Sequence, residues 1–335
     1  MHQFRYSNSE REMEVYGYDS VVKSHCRMCH GGCGVIVYVK DGKVAKIAGD
    51  PDCPIAHGTL CTKGLASAQL AYHPDRLTYP VKRVGPKASG KWERISWDEA
   101  LDTIAERILA YKEKYGPESV VFGYGTGREN EAVIYRIANL LGSPNVLTAG
   151  HFCYGPRIST GIITCGTNPI ADYENFPKCI MMWGNNVTIS NPDEYKGEPF
   201  SVALDHGAKL IVVDPRLTRP AARANVWLQL RPGTDAALAL GMLNVIVNEE
   251  LYDKEFVEKY IHGWEPFVKR VNEYPLDKVE EITWVPKEKI REAARLFATT
   301  KPAAIQWGVA IEQQNNCADN DRLLMFLMGL TGNID

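Results

Sequence analysis

The sequence has no apolar run long enough to span a bilayer, no basic stretch dense enough to track phosphates, no internal repeat and no low-complexity tract. The first absence excludes a transmembrane helix from this chain. The second removes nucleic acid as an expected partner, because phosphate binding needs clustered Lys and Arg. The 38 basic and 41 acidic side chains nearly cancel, which also argues against a charged membrane surface. Residues Met1 to Glu10 contain neither an apolar h-region nor a twin-arginine pair, so the expected compartment is the cytoplasm. What remains is an ordinary globular composition, 45% hydrophobic and 24% charged, in a length that suits two or three domains.

Cysteine is plentiful, at nine residues. In a large chain without an export signal, a disulfide framework is not the expected use. Cys53, Cys165, Cys179 and Cys317 follow no pattern and read as small apolar side chains. Cys26, Cys29, Cys33 and Cys61 are different, because their spacing is C-x2-C-x3-C-x27-C. Three thiolates so close in sequence can take three corners of one cubane, and a fourth brought in by a loop closes it. A [4Fe–4S] cluster is the first reading. Structural zinc is the rival, although it favours paired C-x2-C knuckles; unrelated thiols are the third reading. Gly31, Gly32 and Gly34 let the backbone turn tightly and aim N–H groups at sulfur.

The surrounding pattern is β-rich. Val35 to Ile47 reads as two strands flanking Asp41-Gly42, a strong hairpin signal. Residues 1–20 are polar and read as an arm, and Asp50 to Gly64 reads as loop. After a turn-rich passage at 79–90, Ser96-Trp-Asp-Glu99 is a capping box that opens a helix ended by Gly116-Pro117. Strands follow at Ser119–Tyr124, Cys179–Trp183, Lys209–Val213, Val226–Leu230 and Ala303–Trp307. Helices fall near 130–141, 199–206, 234–248, 254–261, 287–299 and 318–330. This alternation predicts a mostly parallel sheet with helices on both faces. The last helix, rich in Leu and Met, is apolar enough to need cover on most sides, from a partner or from further chain.

Several motifs in order carry a family resemblance. They are His25-Cys-Arg-Met-Cys-His-Gly-Gly-Cys-Gly-Val35 with Cys61-Thr-Lys-Gly64, Asp75-Arg-Leu-Thr-Tyr-Pro-Val-Lys82, Trp92 to Ala100, Val212-Val-Asp-Pro-Arg216, Arg231-Pro-Gly-Thr-Asp-Ala-Ala237 and Leu330-Thr-Gly-Asn333. Together they resemble the dimethyl sulfoxide reductase family of molybdenum and tungsten enzymes. The resemblance implies an α/β chain: a small β-rich [4Fe–4S] domain (1–82), then doubly wound Rossmann-like domains (83–150 plus 300–335, and 151–299). Set against the family's usual length, the resemblance leads to the expectation that this chain lacks the family's C-terminal domain.

It also implies the cofactors: a [4Fe–4S] cluster and a bis-molybdopterin guanine dinucleotide bearing Mo or W. By the resemblance, Cys153 in Gly150-His-Phe-Cys-Tyr-Gly-Pro-Arg157 is the Mo or W ligand, and Lys63 lies between cluster and pterin. Gly184, Asn185 and Ser190 form a cofactor loop, and Asp214 with Arg216 contacts the nucleotide. Gly233 and Asp235 serve guanine recognition, against the plain alternative of a first-turn carboxylate. Gly123 belongs to a glycine turn that is weak evidence for a dinucleotide. His30 stands where the acetylene-hydratase branch of the family has an acidic aspartate; acid, cluster tuner and structural residue all stay open for it. The implied activity is a redox enzyme acting on a small molecule, with an iron–sulfur subunit or soluble redox carrier as electron partner. The alternative is a non-redox hydratase or lyase of the acetylene-hydratase branch. Departures from the pattern are Tyr154 after the ligand cysteine, where formate dehydrogenases carry His, Asn225 for the usual Asp, and Gln313-Gln314 for the usual Gln-His.

Overall fold

The computed structural model describes residues 9–29, 31–54, 56–125, 130–151, 153–189 and 197–334. The chain divides into two units, Met1–Ala149 and Gly150–Asp335.

The first unit begins with α1 (Ser9–Tyr16), followed by β1 (Ser20–His25), β2 (Gly34–Lys40) and β3 (Lys43–Gly49), which form an antiparallel sheet in that order. Helix α1 replaces part of the arm expected over 1–20, because Glu-Arg-Glu-Met-Glu is made of good helix formers. The hairpin at Asp41-Gly42 is present, and both residues have positive φ (52° and 69°), as a two-residue primed turn requires. Val35 and Tyr38, on opposite faces of β2, are its buried residues. Short helices α2 (Thr62–Leu65) and α3 (Ser67–Ala71) follow, then the β4 (Val81–Arg83) and β5 (Trp92–Arg94) pair. Helix α4 (Trp97–Tyr115) starts at the expected capping residue: Ser96 Oγ accepts from the Glu99 N–H at 3.0 Å. The unit closes with β6 (Phe122–Tyr124), α5 (Glu131–Leu141) and β7 (Val146–Thr148), β6 and β7 pairing in parallel. The strand expected from Ser119 is shorter because Pro117–Ser119 forms a 3-10 turn.

The second unit starts with α6 (Gly155–Cys165), a helix that the apolar periodicity does not announce. It then alternates: β8 (Cys179–Trp183), α7 (Gly197–Asp205), β9 (Lys209–Val213), α8 (Arg219–Arg223), β10 (Val226–Leu228) and α9 (Asp235–Asn248). Four helices, α10 (Lys254–Tyr260), α11 (Trp264–Asn272), α12 (Leu276–Thr283) and α13 (Lys287–Thr299), lead to β11 (Ala303–Trp307), α14 (Val309–Glu312) and α15 (Cys317–Leu330). The four strands form one parallel sheet in the order β10-β9-β8-β11.

Alternate side chains of the strands enter two cores, which is why these strands read as continuous apolar runs. Met181, Trp183, Ile211 and Val213 pack with Leu238 and Met242 of α9 and Phe297 of α13. Ile180, Met182, Leu210 and Val212 pack with Phe200 of α7 and Ala221 of α8. The sheet is doubly wound, as expected. Strand β11 lies beside β8, so residues 303–307 share a sheet with β8 and not with β6 and β7, a different grouping from the sequence-based division.

Leu324, Met325, Leu327, Met328 and Leu330 of α15 are buried within the unit, where α6, α9 and β11 pack on the helix. Part of the cover that the apolar pattern of this helix calls for comes from α6, which the sequence-based set of helices lacked.

Candidate cluster and nucleotide-cofactor sites

The first three cysteines of the spacing motif lie in the connection between β1 and β2. His25 pairs with Gly34, and the Cys26 N–H donates to the Cys33 carbonyl at 2.8 Å, so the antiparallel ladder closes the loop at its base. Gly32 has φ of 66° at the loop's turn, and the Gly31 N–H donates to Cys29 Sγ at 3.4 Å, as expected for glycine-directed N–H···S contacts. Gly34 leaves no room for a side chain: a Cβ there would lie 2.7 Å from Cys53 Cβ. Cys61 arrives as the residue before α2.

Among the described residues no three His, Cys, Asp or Glu side chains close on the position of a single ion. Cys26, Cys29 and Cys61 nevertheless lie close enough to Cys33 to act on its thiol. Burial pushes the Cys33 thiol up to about 11, and the sulfurs of Cys26, Cys29 and Cys61 add to the effect. Sulfurs that sense one another without converging fit a cubane, whose irons hold the ligands apart, better than one tetrahedral zinc. Lys63 is half-buried in α2, two positions beyond Cys61. His30 lies outside the described residues.

In the second unit the chain runs outward through β8, β9 and β10, then returns to place β11 on the other side of β8. The crevice at the carboxyl ends of β8 and β11 is therefore a topological switch point, where open α/β sheets bind ligands. Gly184 and Gly308 face each other there. A Cβ on Gly308 would lie 2.4 Å from the Gly184 carbonyl oxygen, and Gly184 has φ of 56°. Asn185 is buried, donates from Nδ2 to the Trp307 carbonyl at 3.3 Å, and leaves Oδ1 buried without a hydrogen-bond partner. An unpaired buried amide oxygen normally costs about 1–3 kcal/mol, which a polar ligand edge would recover. These features fit a nucleotide-bearing pterin. Asp214 ends β9, buried; its Oδ1 accepts from the Arg216 N–H at 2.7 Å and faces the exposed Arg216 guanidinium at 3.9 Å.

Asp235 is buried at the start of α9 and accepts a hydrogen bond on each oxygen. Trp183 Nε1 donates to its Oδ1 at 2.7 Å and Gln314 Nε2 donates to its Oδ2 at 2.8 Å. Asn320 donates in turn to Gln314 Oε1 at 3.2 Å. The Gln313-Gln314 departure thus has a structural use, since Gln314 ties α9 to the segment before α15. Gly233, with φ of 81°, makes the turn before α9 and lines a cavity of about 550 Å³ with Arg270, Asn316 and Arg322.

Cys153 lies two residues before α6. The tight loop in front of the helix is set by Gly155, where a Cβ would lie 2.0 Å from the Gly150 carbonyl oxygen. A helix N-terminus is a favourable place for an anionic sulfur ligand. Gly123 lies on β6 in the first unit, where a Cβ would approach nothing closer than 3.9 Å. Ser190 lies outside the described residues. Two of the unpatterned cysteines feel the apolar interior: burial within β8 pushes the Cys179 thiol up to about 12, and burial also raises Cys165.

Sequence reasoning missed two buried polar groups. One is Arg157 with Glu312; the other is Trp307, whose Nε1 donates to Asp321 Oδ1 at 2.8 Å. The only signal for the first is an arginine at the end of the Cys153 motif.

The fold and the two sites define a molybdopterin enzyme with an iron–sulfur domain. Residues 19–73 match the family model of the molybdopterin oxidoreductase Fe4S4 domain, and residues 76–335 match that of molybdopterin oxidoreductase. The chain belongs to the molybdopterin oxidoreductase family, and its cofactors are a [4Fe–4S] cluster and a Mo- or W-bearing molybdopterin.

It is similar to acetylene hydratase of Syntrophotalea acetylenica, 42% identical over 314 residues that cover 92% of this chain and 42% of that one. It is 38% identical to dopamine dehydroxylase of Eggerthella lenta, over 77% of this chain and 26% of that one. Formate dehydrogenase H of Escherichia coli is 34% identical, with 92% and 44% covered. The solved structure of acetylene hydratase from Pelobacter acetylenicus superposes with a TM-score of 0.78 at 40% identity, covering 93% of this chain and 43% of that one. The chain spans less than half the length of these relatives.

Proposed function

We propose that this chain is the cofactor-bearing part of an oxidoreductase that acts on a small molecule by two-electron chemistry and exchanges single electrons through the cluster. The observation that supports this best is the four-thiol site formed by the β1–β2 connection and Cys61, with Lys63, two residues beyond Cys61, as a cation suited to a reduced, anionic cluster. The bound Mo or W centre supplies the two-electron exchange with substrate.

In this reading Cys153 offers its thiolate to the metal from the start of α6. Gly184, Asn185 and Ser190 hold the pterin nucleotide at the switch point. Asp214 and Arg216 meet the nucleotide's polar groups. Asp235 accepts one bond on each oxygen and keeps acceptor capacity for guanine beside the Gly233 turn. Gly123 is retained as a minor backbone contact. Two pterin guanine dinucleotides, His30 as proton donor or cluster tuner, a cytoplasmic location, and an iron–sulfur subunit or soluble redox carrier as electron partner complete the proposal. The division at 82 and 150 also stands as part of it, with 300–335 grouped with 151–299 because β11 pairs with β8.

The second reading is a hydratase or lyase that leaves substrate oxidation state unchanged. Its support is the 42% identity to acetylene hydratase. A dye-coupled survey on the anaerobically purified full-length enzyme separates the two. Turnover that consumes reduced viologen, or reduces an acceptor dye, is the expected result. Water addition to an unsaturated substrate with neither donor nor acceptor present would overturn the redox reading in favour of the second.

A further inference from the structure

Arg157 sits in the first turn of α6, four residues beyond Cys153, and its side chain is buried. Its Nε donates to Glu312 Oε1 at 2.8 Å, and its Nη2 donates to the same oxygen and to the Trp307 carbonyl at 2.8 Å. The guanidinium also stacks between two rings, 4.6 Å from the centroid of Tyr154 and 4.3 Å from that of Trp307. Tyr154 directly follows Cys153, Trp307 ends β11, and Glu312 ends α14. One cation therefore joins the Cys153 loop to the strand end that forms one wall of the switch-point crevice.

Stability alone does not account for this arrangement. Desolvating two charges offsets much of their attraction, and an apolar pair of similar volume commonly packs as well. A planar guanidinium instead fixes direction, because it can bond at its edge and stack on both faces, which a lysine cannot do.

We propose that Arg157, locked by Glu312, is a positioning residue that clamps the Cys153 loop to the end of β11 and presets the thiol for the metal centre. The inference rests on the reading of Cys153 as the metal ligand, but the clamp itself belongs to the cofactor-free chain and is testable there.

The experiment is site-resolved alkylation by iodoacetamide of the cofactor-free, full chain, followed by peptide mass spectrometry. The variant R157M/E312M removes both charges and leaves neither buried alone. Cys165, at the far end of α6, is the internal control. Cys153 should react at least about fivefold faster in the double variant, as expected for local opening of one segment, with the Cys165 rate unchanged. R157K, which keeps the charge opposite Glu312 but loses the planar stack, should fall between the two. If the double variant does not fold, R157K against the parent decides alone. Equal Cys153 rates in the folded proteins, or Cys165 accelerating in step with Cys153, would overturn the clamp. The ligand reading fails separately, if C153S holoenzyme retains its full Mo or W content.

Discussion

Asp321 is wholly buried on α15, with one oxygen bonded to Trp307 Nε1 and the other without a hydrogen-bond partner. Burial pushes its carboxyl up to about 6, against the opposing pull of the Arg157 charge and the Trp307 N–H. The folded state thus holds this proton more tightly than the unfolded chain, whose carboxyl titrates near its ordinary value. The contribution to stability is favourable below about pH 4 and is lost as pH rises through about 6, leaving a cost of roughly 2–3 kcal/mol at pH 7. Asp321→Asn keeps the acceptor for Trp307 and cannot ionise. Its stability relative to the parent should rise from near zero at pH 4 to about 2–3 kcal/mol at pH 7. Urea denaturation at stepped pH checks this, and a pH-independent difference would show that the carboxylate is not the source.

Among the elements, α4 and α9 make opposite uses of an apolar stripe. No side chain of α4 is buried, and Trp97, Leu101, Ile104 and Leu109 are each more than half exposed. Its local stability then depends on its ends. Ser96→Ala removes the cap on the Glu99 N–H and should cost about 1 kcal/mol, while Leu101→Glu should change stability by less than about 0.5 kcal/mol. Helix α9 is buried almost all round, and Gly241 lies so close to α12 that a Cβ would sit 2.8 Å from Val279 Cγ1. Leu238→Ala on α9 should therefore cost about 2–5 kcal/mol. Denaturant midpoints for the three variants test the contrast. A large loss in Leu101→Glu would mean that α4 is covered in solution.

For the whole molecule, the two cofactor sites draw on different units. The four cysteines proposed for the cluster precede Ala149, and Cys153 with the switch-point crevice follows Gly150. Metal loading should accordingly separate by mutation. Cys61→Ser should lower iron from about four per chain and bleach the visible absorbance while Mo or W content persists. Cys153→Ser should do the reverse. Metal analysis with absorbance spectra checks both; loss of iron and Mo or W together in Cys61→Ser would show that the sites load cooperatively.

Many of these features are legible in the amino-acid sequence. The strands Cys179–Trp183, Lys209–Val213 and Ala303–Trp307 fall where their apolar runs predict. The Asp41-Gly42 hairpin and the Ser96 cap follow from local dihedral and hydrogen-bond needs. The cysteine spacing points to a cluster, because three of the four thiols share one short loop, which is a local property. The sequence does not place β11 next to β8, and that placement creates the crevice. Nor does it pair Arg157 with Glu312, 155 positions apart, or give Asp235 its partners Trp183 and Gln314. Periodicity reports a residue's own backbone and which face it buries. Which strand end meets which is decided by the crossover connections and by close packing of the helices between them, so the sequence determined the elements and the cluster, and only the tertiary structure made the cofactor crevice.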